Sequence, residues 1–296
     1  MKRAARQLAA FAAAGCLLAA GAGPVHAAHL GSARFTPSPQ GGPLTWHGGR
    51  LGIGFDAGVI LNPHLYLSFW GPTWQTGFTD PGGYTSATVM NYILTLAGEV
   101  GGSAWEQTLT QYCIGIPIGA TSASCPGGAT SIQNNPNQLA GYWIDTTPVP
   151  SPLIDPAGSV PGSHDGPITG PGGAVQRAAA HFGWDPNGFY VILLPTGTMP
   201  DWMPNYGCAY HTAMGSGLGP ATPTAFGVVP YQADTPFCGR NVSYHTNDAF
   251  GHGWLDGESD AILHEYAEGI TDFNAADGWL DDTLSLEIAD KCEISG

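Results

Sequence analysis

The chain reads as an α/β domain: a mixed sheet with packed helices, long Gly/Pro-rich loops and disulfides. Three observations predict this. Two apolar, aromatic-rich runs, residues 64–70 and 189–194, are bounded by turn residues and have the character of buried strands. Apolar residues at helical spacing lie between them, at Val89, Ile93, Leu94 and Leu96. A further helical stretch near 259–273 follows the second run and carries His264, Glu265 and Glu268. Strands that alternate with helices build open sheets covered by those helices.

The elements follow in order. Lys2, Arg3 and Arg6 precede an apolar stretch from Leu8 to Ala20, and Val25-His26-Ala27 suits signal peptidase. Residues 1–27 therefore read as a secretory signal peptide, with an apolar stretch too short to span a bilayer. No other segment is long and apolar enough to span one. Residues 28–43 form a polar lead-in expected to be mobile. Residues 44–296 are expected to form a single domain. The strand at 64–70 leads to a helix from Ala87 to Val100, ended near Gly101-Gly102. Trp105 to Tyr112 reads as a short helix or strand. The stretch 128–172 contains eight prolines and is expected to be mostly irregular. Ala174 to Phe182 is a helix, Asp185-Pro186-Asn187-Gly188 a turn, and Phe189 to Leu194 the second strand. Pro200 to His252 is a long Gly/Pro-rich region. Ser259 or Asp260 is positioned to cap the last helix.

Charge bounds the partners. The chain carries a formal −15. Loss of residues 1–27 removes three basic residues and no acidic ones, leaving five basic, 23 acidic and −18. Such a surface repels nucleic acid and anionic lipid. A peptide, a cell-wall component or a metal-bridged ligand is the expected partner. Five cysteines follow the signal peptide, and in a secreted chain they form disulfides. Cys113–Cys125 and Cys208–Cys238 are the expected pairs, with Cys292 left over.

The chemistry concentrates at the C-terminal end. On a helix, His264 and Glu268 share one face, and Glu265 beside them is placed to act as general base on a metal-bound water. Zinc proteases usually carry His at both ends of this spacing; here the second position is Glu. Twelve acidic residues lie between Gly253 and Gly296, with Lys291 the only lysine or arginine among them. Two carboxylates about 6 Å apart repel by roughly 3 kcal/mol at an effective dielectric near 20, so converging carboxylates call for a cation. A solvated acidic face with a His264–Glu268 ion pair, worth about 0.5 kcal/mol or less, is the alternative.

A third ligand is expected from Glu287, 19 residues after Glu268. This resembles the thermolysin-like arrangement, in which a second helix returns a glutamate to the metal. Leu286 to Asp290 fits that helix, with Asp290 orienting the ligands. Asp272 is the runner-up ligand. Zinc is the first expectation for the metal, with calcium or manganese favoured by the carboxylate-rich set. The expected architecture is a zinc-metallopeptidase-like sheet with the metal helix packed on it. Peptide hydrolysis through Glu265 stands against a non-enzymatic role in which the metal stabilises the fold or binds a ligand. Cys208-Ala209-Tyr210-His211 has metal-ligand spacing, but a disulfide at Cys208 discounts His211 as a ligand. His245 and His252 are candidates for substrate contact. The tryptophans read as core before they read as sugar platforms.

With these residues assembled, the chain resembles the phosphate-induced, EXORDIUM-like family of secreted proteins. The likeness runs along most of the chain after the signal. It includes Thr45-Trp46-His47-Gly48-Gly49, the strand from His64 with its aromatic-Gly end, Phe189 to Thr196, and Cys208 to His211 with Cys238. It is strongest at His264-Glu265, Glu268, Thr271-Asp272, Gly278-Trp279, Asp281, Glu287-Ile288 and Asp290-Lys291-Cys292. The resemblance implies secretion, a shared fold and a cell-wall or cell-surface setting. The chain departs from it in stopping at Gly296, where relatives continue, and in carrying Phe273 where they often have proline. The departure at the end leaves truncation, or a missing partner for Cys292, as expectations.

Overall fold

The computed structural model describes residues 42–49, 58–125, 130–156, 165–205, 207–214, 224–235, 238–239, 253–272, 277–283 and 286–292. The expected signal peptide, most of the lead-in, His245, His252 and Phe273 lie outside the described residues.

Five strands form the central sheet: β1 (His64–Trp70), β2 (Leu139–Asp145), β3 (Gly188–Leu193), β4 (Tyr210–Met214) and β5 (Thr224–Val229). Their spatial order is β2-β1-β3-β5-β4. The first four in that order run parallel, and β4 closes one edge antiparallel to β5. Three longer helices cover the sheet: α1 (Ser86–Val100), α2 (Ala174–Phe182) and α3 (Asp256–Thr271).

Alternation along the strands separates two cores. Leu65, Leu67, Phe69, Phe189, Val191 and Leu193 pack with α1 and α3 on one face. Tyr190, Ile192, Phe226 and Val228 pack with α2 on the other. Parallel strands covered on both faces are apolar on both sides, which is why 64–70, apart from His64 and Ser68, and 189–194 are legible as apolar runs. The mixed α/β class with packed helices is thus the observed one. No helix among the described residues is long and apolar enough to cross a membrane.

Local physics accounts for the helix boundaries. Thr85 caps α1, its hydroxyl accepting the Thr88 N–H at 3.2 Å. α3 begins at Asp256, ahead of both expected caps. Ser259 lies inside the first turn and donates to the Asp256 carbonyl at 2.8 Å. In place of a side-chain cap, Asp256 stands in the first turn, where a carboxylate meets the positive end of the helix dipole.

Several elements differ from the expectation. The stretch 128–172 supplies β2, a half-exposed edge strand set among prolines. The region from Pro200 to His252 supplies β4 and β5. These strands are five and six residues long, too short to show a period among glycines and prolines. Glu106–Gln111 is a 3-10 helix, in agreement with the helical of the two readings expected for Trp105 to Tyr112. No helix spans Leu286 to Asp290: Leu286 bridges to Asp281, and a 3-10 turn covers only Asp290–Cys292. The Asp290 carboxylate accepts the Glu287 N–H at 3.4 Å, so a side chain competes there for backbone hydrogen bonding.

Two covalent ties and a small ribbon anchor the long connections. Cys113 is joined to Cys125 and Cys208 to Cys238, with S–S distances of 2.10 and 2.07 Å. Thr45–Trp46 pairs antiparallel with Trp279–Leu280. That ribbon holds the chain beyond α3 against the core, with Trp279 packed on Trp46 and Tyr112.

Candidate metal centre

The site forms where α3 meets the antiparallel edge of the sheet. α3 is buried on nearly every side, so Glu265 and Glu268 enter the interior together with Ile262, Tyr266 and Ile270. Two glycines let the helix come close. A Cβ at Gly269 would stand 2.0 Å from the Phe189 ring, and one at Gly227 would meet Glu265 Cβ at 3.3 Å. Gly227 pairs across the sheet with His211. Alternation along β4 sends Tyr210 and Met214 into the α2-side core, leaving His211 and Ala213 on the α3 face.

Seven buried side chains converge there: His211, His264, Glu265, Glu268, Asp272, Glu287 and Asp290. They form three overlapping trios whose donor atoms all lie within 4.8 Å of one another. The trios are His211–Glu265–Glu268, His211–Asp272–Glu287 and His264–Glu268–Asp290. His264 Nε2 is 3.0 Å from Glu268 Oε1 and 3.5 Å from Asp290 Oδ1. The Asp290 N–H donates to Glu268 Oε1 at 3.2 Å. His211 Nδ1 is 3.3 Å from both Glu265 Oε2 and Glu268 Oε2, and its Nε2 is 3.7 Å from Glu287 Oε1. Donors about 2.1 Å from a tetrahedral zinc stand about 3.4 Å apart, so these separations suit the edges of a coordination shell.

Electrostatics inside the cluster are uneven. Burial pushes Glu265 up to about 7. Burial, reinforced by the charges of Glu268, Asp272 and Asp290, holds Glu287 well above the carboxylate range. Burial would also raise Glu268, but His264 and His211 outweigh it and hold this carboxyl below its usual range. Burial works against both imidazolium ions. The carboxylates of Glu287, Glu265 and Glu268 outweigh it at His211, and Glu268 and Asp290 do so at His264, raising both well above the ordinary value.

The donor set fits a divalent cation. His211 Nε2, Glu265 Oε1, Glu268 Oε2 and both Glu287 oxygens are buried without a hydrogen-bond partner. Such groups cost several kcal/mol each when ionised and uncompensated. Two imidazoles and five carboxylates are also the ligand types that hold zinc or manganese. Lys291 is engaged elsewhere, donating to Asp281 and to the Gly42 carbonyl.

The sequence-predicted residues are therefore neighbours, in a different grouping from the expected one. His264 and Glu268 share a trio with Asp290, whereas Glu287 shares one with Asp272 and His211. Asp272 is not on the helix; it follows the last residue of α3 as its cap. His211 is the residue that sequence reasoning discounted. Its disulfide neighbour Cys208 does not compete with it: the bridge to Cys238 anchors the start of β4, and Cys238 lies against Gly257 of α3. A lone histidine inside an apolar pentapeptide was the available signal, but no spacing rule relates residue 211 to residue 265.

No protein-family model matches the chain, and no curated protein or solved structure shows significant similarity to it.

Proposed function

We propose that this is an extracellular metal-binding protein. In this reading a divalent cation held by His264, Glu268 and Asp290 ties α3 to the segment that follows it. The observation that carries the reading is the convergence of two imidazoles and five carboxylates in the interior, with buried donor atoms that lack hydrogen-bond partners. A structural role is favoured by burial. A catalytic metal keeps an open position for water and substrate, whereas the most exposed of the seven residues, His264, retains only 7% of its surface. The extracellular setting rests on the signal-like N-terminus and the two disulfides. The EXORDIUM-like motifs support a cell-wall or cell-surface partner.

A second reading, metal-dependent peptide hydrolysis in a zinc-metallopeptidase-like fold, is favoured by Glu265. One of its oxygens is held by His211, and the other has no hydrogen-bond partner beside the ligands. A bound cation would polarise a carbonyl and acidify water there. Glu265 would accept the proton, and His211 would keep its carboxylate in place.

Elemental analysis, thermal melting and a peptide-library digest of chelator-free protein test both readings. The expected result is bound metal, a lower melting temperature in EDTA, no cleavage, and loss of the ion held by His264, Glu268 and Asp290 in His264→Ala. Absence of metal after loading with zinc, manganese or calcium would overturn the centre. Cleavage abolished by Glu265→Gln would put hydrolysis ahead of the structural role.

A further inference from the structure

We infer that the cluster holds a second cation beside the first, bound by His211 Nε2, Asp272 and Glu287. The inference rests on the metal reading above and adds a site to it. Its first support is span. The ligands of one ion lie within about twice a bond length, roughly 4.6 Å, of one another. None of the trios that meets such a limit contains both histidines, and none contains both His264 and Glu287. An ion held by one trio uses three of the seven residues and leaves four.

The group left over also carries buried atoms without hydrogen-bond partners. His211 Nε2 and both Glu287 oxygens are buried and lack hydrogen bonds, with 2% and 1% of the residue surface exposed. His211 Nε2 faces Glu287 Oε1 at 3.7 Å, leaving room for an ion to draw the two inward. The other ring nitrogen is already oriented: Nδ1 meets Glu265 Oε2 and Glu268 Oε2, each at 3.3 Å. A carboxylate on one imidazole nitrogen fixes the tautomer and turns the other nitrogen to the metal. Glu265 thus acts here as a positioning residue for His211.

Glu268 connects the halves. Its Oε1 faces His264, and its Oε2 faces His211. Metal binding ionises its carboxylate ligands; with all five ionised, one divalent cation would offset two of the five charges and two would offset four.

The test counts ions per chain in full-length protein dialysed against zinc and, separately, manganese. Wild type is expected to bind two. His211→Ala and Glu287→Gln are each expected to bind one, and His264→Ala in this assay to keep the ion at His211. Glu265→Gln is expected to weaken the second binding step about 10- to 100-fold while leaving the first intact. One ion in wild type, with His211→Ala unchanged, overturns the second site and leaves the first standing. No ion in wild type overturns both. Glu287→Gln nearly preserves size, so it serves if His211→Ala fails to fold. Two ions retained in Glu287→Gln, with unchanged affinity, would equally overturn the assignment.

Discussion

Glu265 and Glu268 are three positions apart on one helix and use their carboxylates differently. Both oxygens of Glu268 face imidazoles, one from α3 and one from β4. Glu265 engages His211 alone, and its second oxygen lacks a hydrogen-bond partner. Replacement by glutamine nearly preserves size but removes the charge and one acceptor. Glu268→Gln is therefore expected to lose the cation at His264 and to lower the melting temperature of metal-loaded protein. Glu265→Gln is expected to keep that cation. Parallel metal analysis and melting of the two variants check this. Equal metal loss in both would show that the two carboxylates are equivalent ligands and that the division of roles is wrong.

At the scale of elements, the site depends on how closely α3 lies on the sheet. Gly269 and Gly227 set that distance. A Cβ at 269 would stand 2.0 Å from the Phe189 ring, deep in the core. Gly269→Ala must push α3 outward or displace Phe189, and overpacking of this kind costs about 1–3 kcal/mol. It should also weaken cation binding, because His264 and Glu268 move with the helix while His211 stays on β4. Chemical denaturation and metal titration of Gly269→Ala give both numbers. Wild-type stability together with wild-type affinity would show that the contact yields easily and that helix placement does not control the site.

For the whole molecule, buried acids set the response to pH. Burial pushes Glu106 up to about 7, against a hydrogen bond from Gln138, and Glu258 up to about 8. Neither is among the seven clustered residues. Each binds its proton more tightly in the fold than in the unfolded chain, where a glutamate titrates near 4.5. Their contribution therefore favours the fold at low pH and is lost as pH rises from about 4.5 through about 8. Cation binding has the opposite sign, because imidazole and carboxylate ligands must shed protons to bind metal. Metal-free protein is expected to melt lower at about pH 8 than at about pH 5.5. The gain from added zinc should be larger at the higher pH. Melting curves with EDTA and with zinc at both values decide this. A zinc gain that shrinks as pH rises would contradict protonatable ligands.

The class of fold and most residues of the buried cluster are legible along the chain. Two strands buried on both faces are apolar on both sides, so 64–70 and 189–194 announce a covered sheet without reference to anything distant. His264 and Glu268 are local in the same sense, since helical geometry alone puts positions four apart on one face. The strands inside Pro- and Gly-rich stretches were not legible, because β2 is a half-exposed edge and β4 and β5 acquire their character from pairing. Which carboxylate meets which imidazole depends on how the elements pack. His211 reaches Glu265 because Gly227 lies beside it in the sheet and lets α3 settle there. Glu287 turns to His211, and Asp290 to His264, because the chain after α3 returns in an irregular path. Such encounters, between residues 26 to 76 positions apart, depend on strand order and helix approach, and no periodicity in the sequence encodes them.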